Sequence, residues 1–477
     1  MQAGIEEQSA LYAKRIPIFQ RSIHGRFRRF KWVLLALAYG VFFGLVWLPW
    51  PRGTEPSQAL LLDIAARKFY IFNFVFYPQD LILLSVLLFI AATLLFFVTS
   101  LVGRAFCGYF CFQTVWTDFF VWVEHLIQGE RPARIRLYKQ PWNSEKILKL
   151  GATHLIWVLT AFWTAFTFTA YFTFAPQLFA DFFTGQAHPT AYLTVFILSV
   201  STYVAAGLAR EQICTYICPY GRFQSVMYDP ETLAVAYDEK RGEGQLGRAS
   251  LRSGMKTLTE RHAQQHGDCI DCGLCVQVCP AGIDIRNGLQ YSCISCGLCI
   301  DACNSIMTSV GFPRGLIRYD AEKNLKQAQP TKPKLHWQRL KVMGYGVAFL
   351  AMSGLLTVLL ANRSDFDHAV TQVRSPLYVL LSDGAIRNRY QLRISNRANH
   401  EETFRLGVRG IPEAAADFGN FKEVTLKSGK SLMVQVSVKL APAQAATVND
   451  FEFTITPRSR PLAQHLGRAR FYAKDVL

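Results

Sequence analysis

Residues 269–280 read CIDCGLCVQVCP and residues 293–304 read CISCGLCIDACN. The first stretch sets Cys269, Cys272, Cys275 and Cys279 at the spacing C-x2-C-x2-C-x3-C-P. The second repeats the cysteine spacing at Cys293, Cys296, Cys299 and Cys303, with Asn304 in place of the proline. Such runs bind [4Fe-4S] clusters, three thiolates of a run closing on one cube while the fourth reaches across to the other. One cluster is therefore expected on Cys269, Cys272, Cys275 and Cys303, and the second on Cys293, Cys296, Cys299 and Cys279. Cys-x2-Cys also suits tetrahedral zinc, but zinc leaves the duplicated fourth cysteine unexplained. Gly273 and Gly297 fit the tight wrapping of backbone round a cluster, where a side chain would crowd the sulfurs. The work of such a unit is one-electron transfer.

Outward from this core, the chain of 477 residues is 51% hydrophobic, with a mean hydropathy of +0.15. That suits a membrane protein with soluble parts. Five apolar runs approach the roughly 20 residues a span requires, at about 32–50, 81–102, 150–174, 191–209 and 342–361. Each is expected as a transmembrane helix; the first is too long for a signal-peptide core and lacks a small-residue cleavage site, so it stays as an anchor. The net charge of +17 lies mostly beside these runs, where it sets orientation, so no nucleic acid is expected as a partner. RSIHGRFRRFK precedes the first run and RPARIRLYK lies between the second and third, whereas the loop near Asp181 has no Lys or Arg. The positive-inside rule then puts the N-terminus, residues 103–149 and residues 210–341 in the cytoplasm, and the C-terminal segment outside it.

The domains expected are a cytoplasmic N-terminal segment (1–31) and a four-helix membrane domain (32–209) with a cytoplasmic loop (103–149). A cytoplasmic region (210–341) follows, with a bacterial 2[4Fe-4S] ferredoxin-like domain at about 260–312. The fifth span (342–361) leads to the C-terminal domain (362–477). In that last domain apolar residues alternate, as in Tyr390, Leu392, Ile394 and again in Phe451, Phe453, Ile455. Period two means half-buried strands, and with no cysteine pair the expectation is a disulfide-free immunoglobulin-like sandwich that binds a partner or stabilises the chain.

All twelve cysteines fall between Cys107 and Cys303, as reduced metal ligands would. Four stand outside the cluster runs: Cys107 and Cys111 in RAFCGYFCFQTVWTD (104–118), and Cys214 and Cys218 in ICTYICPYGRFQ (213–224). Each pair follows an apolar run, and both return to one membrane face. Residues i and i+4 of a helix share a face with Cβ atoms roughly 5–6 Å apart, so each pair is a two-thiolate clamp for a soft metal ion. The alternative is that they are small residues packing helix ends. A thiol–disulfide relay more commonly uses Cys-x2-Cys. His125, His154, Met227 and Met307 are read as packing residues.

The chain resembles the FixG, RdxA and CcoG family of cytochrome c oxidase accessory proteins. The stretches that carry this are CGYFCFQTVW, CTYICPYGRFQSVMYDP, YDEKRGE, the segment 267–307 from GDCIDC to CNSIM, GLIRYD and SPLYVLLSDGAIRNRYQLRISN. The resemblance implies a cupric reductase of the bacterial inner membrane that supports biogenesis of cbb3-type oxidase, with a periplasmic immunoglobulin-like end. It makes Cys107, Cys111, Cys214 and Cys218 the copper site and implies four kinds of partner. These are the lipid bilayer, a cytoplasmic electron donor, a copper chaperone or copper-transporting ATPase, and cbb3-type oxidase assembly factors. Pro219 fits the family's proline after the second cysteine of a pair, but Phe112 stands at that place in the first, so equal geometry is not implied there. Two other functions fit the same motifs: a quinol-linked electron-transfer protein resembling NapH and NosR, and a non-catalytic assembly scaffold.

Overall fold

The computed structural model describes residues 17–51, 56–327, 333–398 and 400–473. They form two compact units, Met1–Leu356 and Thr357–Leu477. Among the described residues four helices are long and apolar enough to cross a membrane: Leu81–Val102, Ser144–Ala170, Pro189–Ala209 and Leu340–Ala361. At 1.5 Å per residue, 22 residues make about 33 Å, the thickness of a hydrocarbon layer. Their side chains point largely outward, as Leu84, Leu88, Phe89, Val347 and Leu350 do.

The first apolar run differs from its expectation. It forms the helix Arg26–Gly44, which ends before residue 50 and carries Arg26, Arg28, Arg29 and Lys31 in its first two turns. By length and composition it is not among the four. It still runs the length of the bundle: the Arg28 amide donates to Asp301 at one end, and the Tyr171 hydroxyl donates to the Phe42 carbonyl, 2.8 Å, at the other. Its buried cations are met from the helix Phe112–Gln128, where Asp118 pairs with Arg28 at 2.8 Å and with Lys31 at 3.5 Å. That helix, within the segment expected as the loop 103–149, packs into the bundle through Trp116 and Phe120, and its Glu124 lies between Arg134 and Arg210. Charges this buried persist only when paired. Residues 58–76 add a three-stranded antiparallel meander, which the sequence reading missed.

Between the third and fourth of these spans lies the ferredoxin-like part. Strands Leu233–Tyr237 and Ile317–Ala321 pair antiparallel and close its two ends. The helices Leu274–Gln277 and Leu298–Ser309 each begin after a left-handed glycine, Gly273 and Gly297. The core gathers Val235, Ile285, Ile300, Met307 and Leu316 around the cysteines. A strap from the N-terminal side ties this part down. The Arg21 amide donates to the Gln277 carbonyl at 2.8 Å and the Gln20 side chain to the Val278 carbonyl at 3.0 Å.

The second unit is an all-β sandwich. One sheet orders strands 416–417, 431–440, 386–396 and 366–372, with 379–380 also on 386–396; the other orders 423–426, 402–409, 450–457 and 465–470. The alternation read from the sequence is the inward face: Tyr390, Leu392, Ile394, Phe404, Val434, Val436, Phe453 and Ile455 are almost wholly buried. All twelve cysteines are free, so no disulfide staples it.

Candidate functional site

Cys269, Cys272, Cys275 and Cys303 line one cavity; Cys279, Cys293, Cys296 and Cys299, with Cys275, line a second. Apart from Cys275, which lines both, the cysteines group as the spacing suggests. The loops leading into the cavities share their conformation: Asp271 and Ser295 have φ of 47° and 51°, Gly273 and Gly297 of 65° and 73°. Positive φ at a non-glycine residue is strained and persists only where surroundings enforce it. Burial pushes the Cys279 and Cys303 thiols up to about 12, with neighbouring cysteines adding to the shift. Thiols in such a place become thiolates when iron binds them. The donor sets, paired cavities and enforced loops fit a pair of [4Fe-4S] clusters.

The other four cysteines occupy a backbone repeat. Four residues before each pair the chain reverses at positive φ, at Gly103 (57°) and at Arg210 (43°). A short helical turn follows, Ala105–Tyr109 or Ile213–Ile217. The second cysteine then caps the next helix in an extended conformation, with φ, ψ of −64°, 129° at Cys111 and −73°, 110° at Cys218. Each donates its amide to the carbonyl five residues back, Cys111 to Phe106 at 3.0 Å and Cys218 to Ile213 at 2.7 Å. The expectation of two thiols on one face of a regular helix is thus corrected. The widened turn ends the helix and carries the second cysteine out of it. Phe112 takes the first helical position as Pro219 does, where the amide lacks an intrahelical partner in any case, so proline is not required. Phe112 instead stacks on Trp116 at 4.1 Å.

The two pairs come together. Phe106, next to Cys107, meets Tyr220, two residues past Cys218, edge-on with ring centres 6.3 Å apart, and Tyr220 packs against the core that holds Cys107. Burial raises Cys107 and pushes Cys214 up to about 11, while Arg104 opposes both shifts. The Cys107 thiol donates to Gln224 Oε1 at 3.0 Å. Among the described residues no three Cys, His, Asp or Glu side chains converge on an ion-sized position.

This site abuts the second cavity. A Cβ on Gly108 would stand 2.7 Å from the Ile294 carbonyl oxygen and 3.0 Å from Cys296 Cα. The Tyr109 hydroxyl donates to the Cys296 carbonyl at 2.8 Å, and Cys107 shares a core with Cys296, Leu298 and Val278. His125 binds the Gln20 carbonyl and His154 the Tyr203 hydroxyl, while Met227 and Met307 are buried packing residues. Sequence reading missed Arg104, Gly108, Tyr109, Gln224 and the strap. The one available signal was Asp118 and Glu124 within an apolar stretch, since buried acids there demand cations.

Fold and site define a membrane protein of the iron–sulfur oxidoreductase kind. Residues 209–322 match a family model described as a 4Fe-4S dicluster domain, residues 84–130 a 4Fe-4S binding domain, and residues 356–473 the IG-like fold at the C-terminal of FixG. The chain is 45% identical to Protein RdxA of Cereibacter sphaeroides over 84% of each chain, and 40% identical to Protein RdxB of the same organism over 94% of each. It is 41% identical to the nitrogen fixation protein FixG of Rhizobium meliloti, covering 85% of this chain and 81% of that one. A FixG-related protein from Vibrio parahaemolyticus, known from its crystal structure, aligns with 24% of this chain and 99% of its own at 18% identity and a TM-score of 0.21. The chain belongs to the FixG/RdxA family.

Proposed function

We propose that the chain reduces Cu(II) to Cu(I) at Cys107, Cys111, Cys214 and Cys218, supplying Cu(I) for biogenesis of a cbb3-type oxidase. The observation that carries this reading is the seat of Gly108 and Tyr109 on the backbone of Cys296. It supports the reading by bringing the turn that carries the first cysteine pair against the backbone of Cys296, which lines one of the two cavities. Cys269, Cys272, Cys275 and Cys303 would hold one cluster, and Cys293, Cys296, Cys299 and Cys279 the other. Bound clusters supply single electrons, as Cu(II) reduction requires.

The rest is done by the chain's own groups. Thiolates favour Cu(I) over Cu(II), so binding there makes electron arrival favourable. Gln224 orients the Cys107 sulfur, and the buried Gly108 contact fixes the distance to Cys296. In this reading the protein lies in the bacterial inner membrane, the iron–sulfur part is cytoplasmic and the sandwich periplasmic. A cytoplasmic donor reduces the clusters, and Cu(I) leaves to a copper chaperone or a copper-transporting ATPase.

The test is anaerobic. Fully reduced protein is mixed with Cu(II) and a Cu(I)-specific chelator. About two Cu(I) per chain are expected, one electron from each cluster. Clusters that stay reduced in the presence of Cu(II), yet are reduced by quinol in membranes, would replace this reading with a quinol-linked carrier.

A further inference from the structure

Arg104 is 3% exposed, yet pairs with no carboxylate among the described residues. Its Nη1 donates to the Tyr291 carbonyl, its guanidinium lies 5.6 Å from the Tyr291 ring centre, and its Nε has no partner. Arg28 and Lys31 are matched by Asp118, and Arg134 and Arg210 by Glu124, while Arg261, buried without a carboxylate among the described residues, spends its guanidinium on the Ala249, Gly267 and Cys269 carbonyls. A buried cation left without an anion is costly, by several kcal/mol in real proteins. The surroundings of Arg104 lead to the cysteines: it stands three residues before Cys107, its Nη2 and the Cys214 carbonyl lie over the same face of Gly221, and the Tyr291 carbonyl that it holds is two residues before Cys293. Room for it is kept by Gly221, where a Cβ would meet Arg104 Nη2 at 2.8 Å, the Cys214 carbonyl at 3.2 Å and the Tyr291 hydroxyl at 3.2 Å. The backbone repeat sharpens the point. Position −3 from the first cysteine is Arg104 in one copy and Glu211 in the other, so the cation belongs to one side of the site alone.

We infer that Arg104 is the fixed counter-charge shared by the four-thiol site and the Cys293 end of the adjoining cluster cage. Resting on the copper reading above, this gives the residue a definite role. Thiolate-bound Cu(I) carries one more negative charge than thiolate-bound Cu(II), and a reduced cluster one more than an oxidised one. A fixed cation between them favours the reduced state of each. Arg104 acts through the sulfurs and need not touch copper.

The experiment compares full-length parental protein with Arg104→Gln, Arg104→Lys and Gly221→Ala, anaerobically in detergent. Iron content, Cu(I) affinity by chelator competition, and cluster potentials by EPR-monitored titration are measured. Arg104→Gln is expected to retain its iron, hold Cu(I) about tenfold more weakly and lower one cluster potential by about 59 mV, the one-electron equivalent of tenfold. Arg104→Lys keeps the charge and is expected to restore both to within about threefold of parental. Gly221→Ala, which displaces the guanidinium, should move in the direction of Gln. Equal potentials in the Gln and parental proteins would overturn the inference. So would a Lys variant as impaired as Gln, or loss of iron in both, since these assign Arg104 to holding the Tyr291 loop. A parental protein that binds no Cu(I) refutes the copper reading instead, and the potential then decides Arg104 alone.

Discussion

Replacing Gly108 with alanine inserts a methyl group where two backbones meet. The new Cβ would stand 2.7 Å from the Ile294 carbonyl oxygen, 3.0 Å from Cys296 Cα and 3.1 Å from the Cys296 nitrogen. No side-chain rotation relieves contacts with backbone, so one loop must move. Overpacking of this kind costs about 1–3 kcal/mol. At 1.4 kcal/mol per tenfold, that disfavours the seated arrangement by roughly 5- to 140-fold. Tyr109→Phe, which removes only the 2.8 Å hydrogen bond to the Cys296 carbonyl, should act in the same direction by about 1 kcal/mol. Gly151→Ala is the control, because nothing lies within 4 Å of a Cβ there and alanine favours its helix. The assay is stopped-flow reoxidation of reduced clusters by Cu(II), with iron measured on the same samples. Gly108→Ala should keep its iron and reoxidise more slowly, while Gly151→Ala reoxidises at the parental rate. A Gly108→Ala protein with parental iron and parental rate would refute the direct route from Cys296 to Cys107.

The remaining expectations use other handles. Serine at Cys107, Cys111, Cys214 and Cys218 should abolish copper binding and reduction together while close to eight irons remain, because none of the four lines a cluster cavity; retained reduction, or stoichiometric zinc in place of iron, would contradict it. Serine at Cys272 or Cys296 should do the reverse, losing iron but leaving Cu(I) binding measurable by chelator competition. Asp118→Asn leaves Arg28 and Lys31 buried without their anion, so thermal unfolding should show a loss of about 3–5 kcal/mol, and an unchanged melting curve would count against that pairing. A reporter near Gly247 should be active in the cytoplasm and one fused to the C-terminus in the periplasm; a cytoplasmic signal at both sites would remove the odd number of crossings between them.

The presence of a dicluster domain was legible because the repeated cysteine spacing is specific to it. The sandwich was legible because period-two alternation directly names an inward face, as at Tyr390, Leu392 and Ile394. Four spans were legible from hydropathy alone. The first helix was less so, since Arg28 and Lys31 lie inside a bundle only because Asp118, some 90 residues away in sequence, receives them. Non-local pairing leaves no periodic trace. The cysteine pairs show a subtler failure. Their i, i+4 spacing suggested one helix face, yet the hydrogen bond to the fifth carbonyl back decides the geometry, and Gly103 and Arg210 start both turns. Phe112 broke the family's sequence pattern without breaking its backbone.

The two cluster cavities differ in access, and that difference gives the proposed path a direction. Cys272 is exposed beside Asp271, which Arg286 holds at 2.5 Å. The other cavity is wrapped by segments that belong to the membrane part. Phe27 covers Gly297, and its ring would lie 2.7 Å from a Cβ there; Ile18 covers Gly282 at 2.8 Å in the same way. Gln20 and Arg21 bind the Val278 and Gln277 carbonyls, and Tyr109 binds Cys296. These contacts tie the ferredoxin-like part to the N-terminal strap, to the helix Arg26–Gly44 and to the turn that carries the first cysteine pair. In the proposed path a soluble donor would meet the exposed Cys272 side, and the Cys296 side adjoins the first cysteine pair through Gly108 and Tyr109. On that reading, the packing that holds the domain in place would also keep electron entry apart from copper reduction, so loosening the strap should weaken docking and expose the second cavity together.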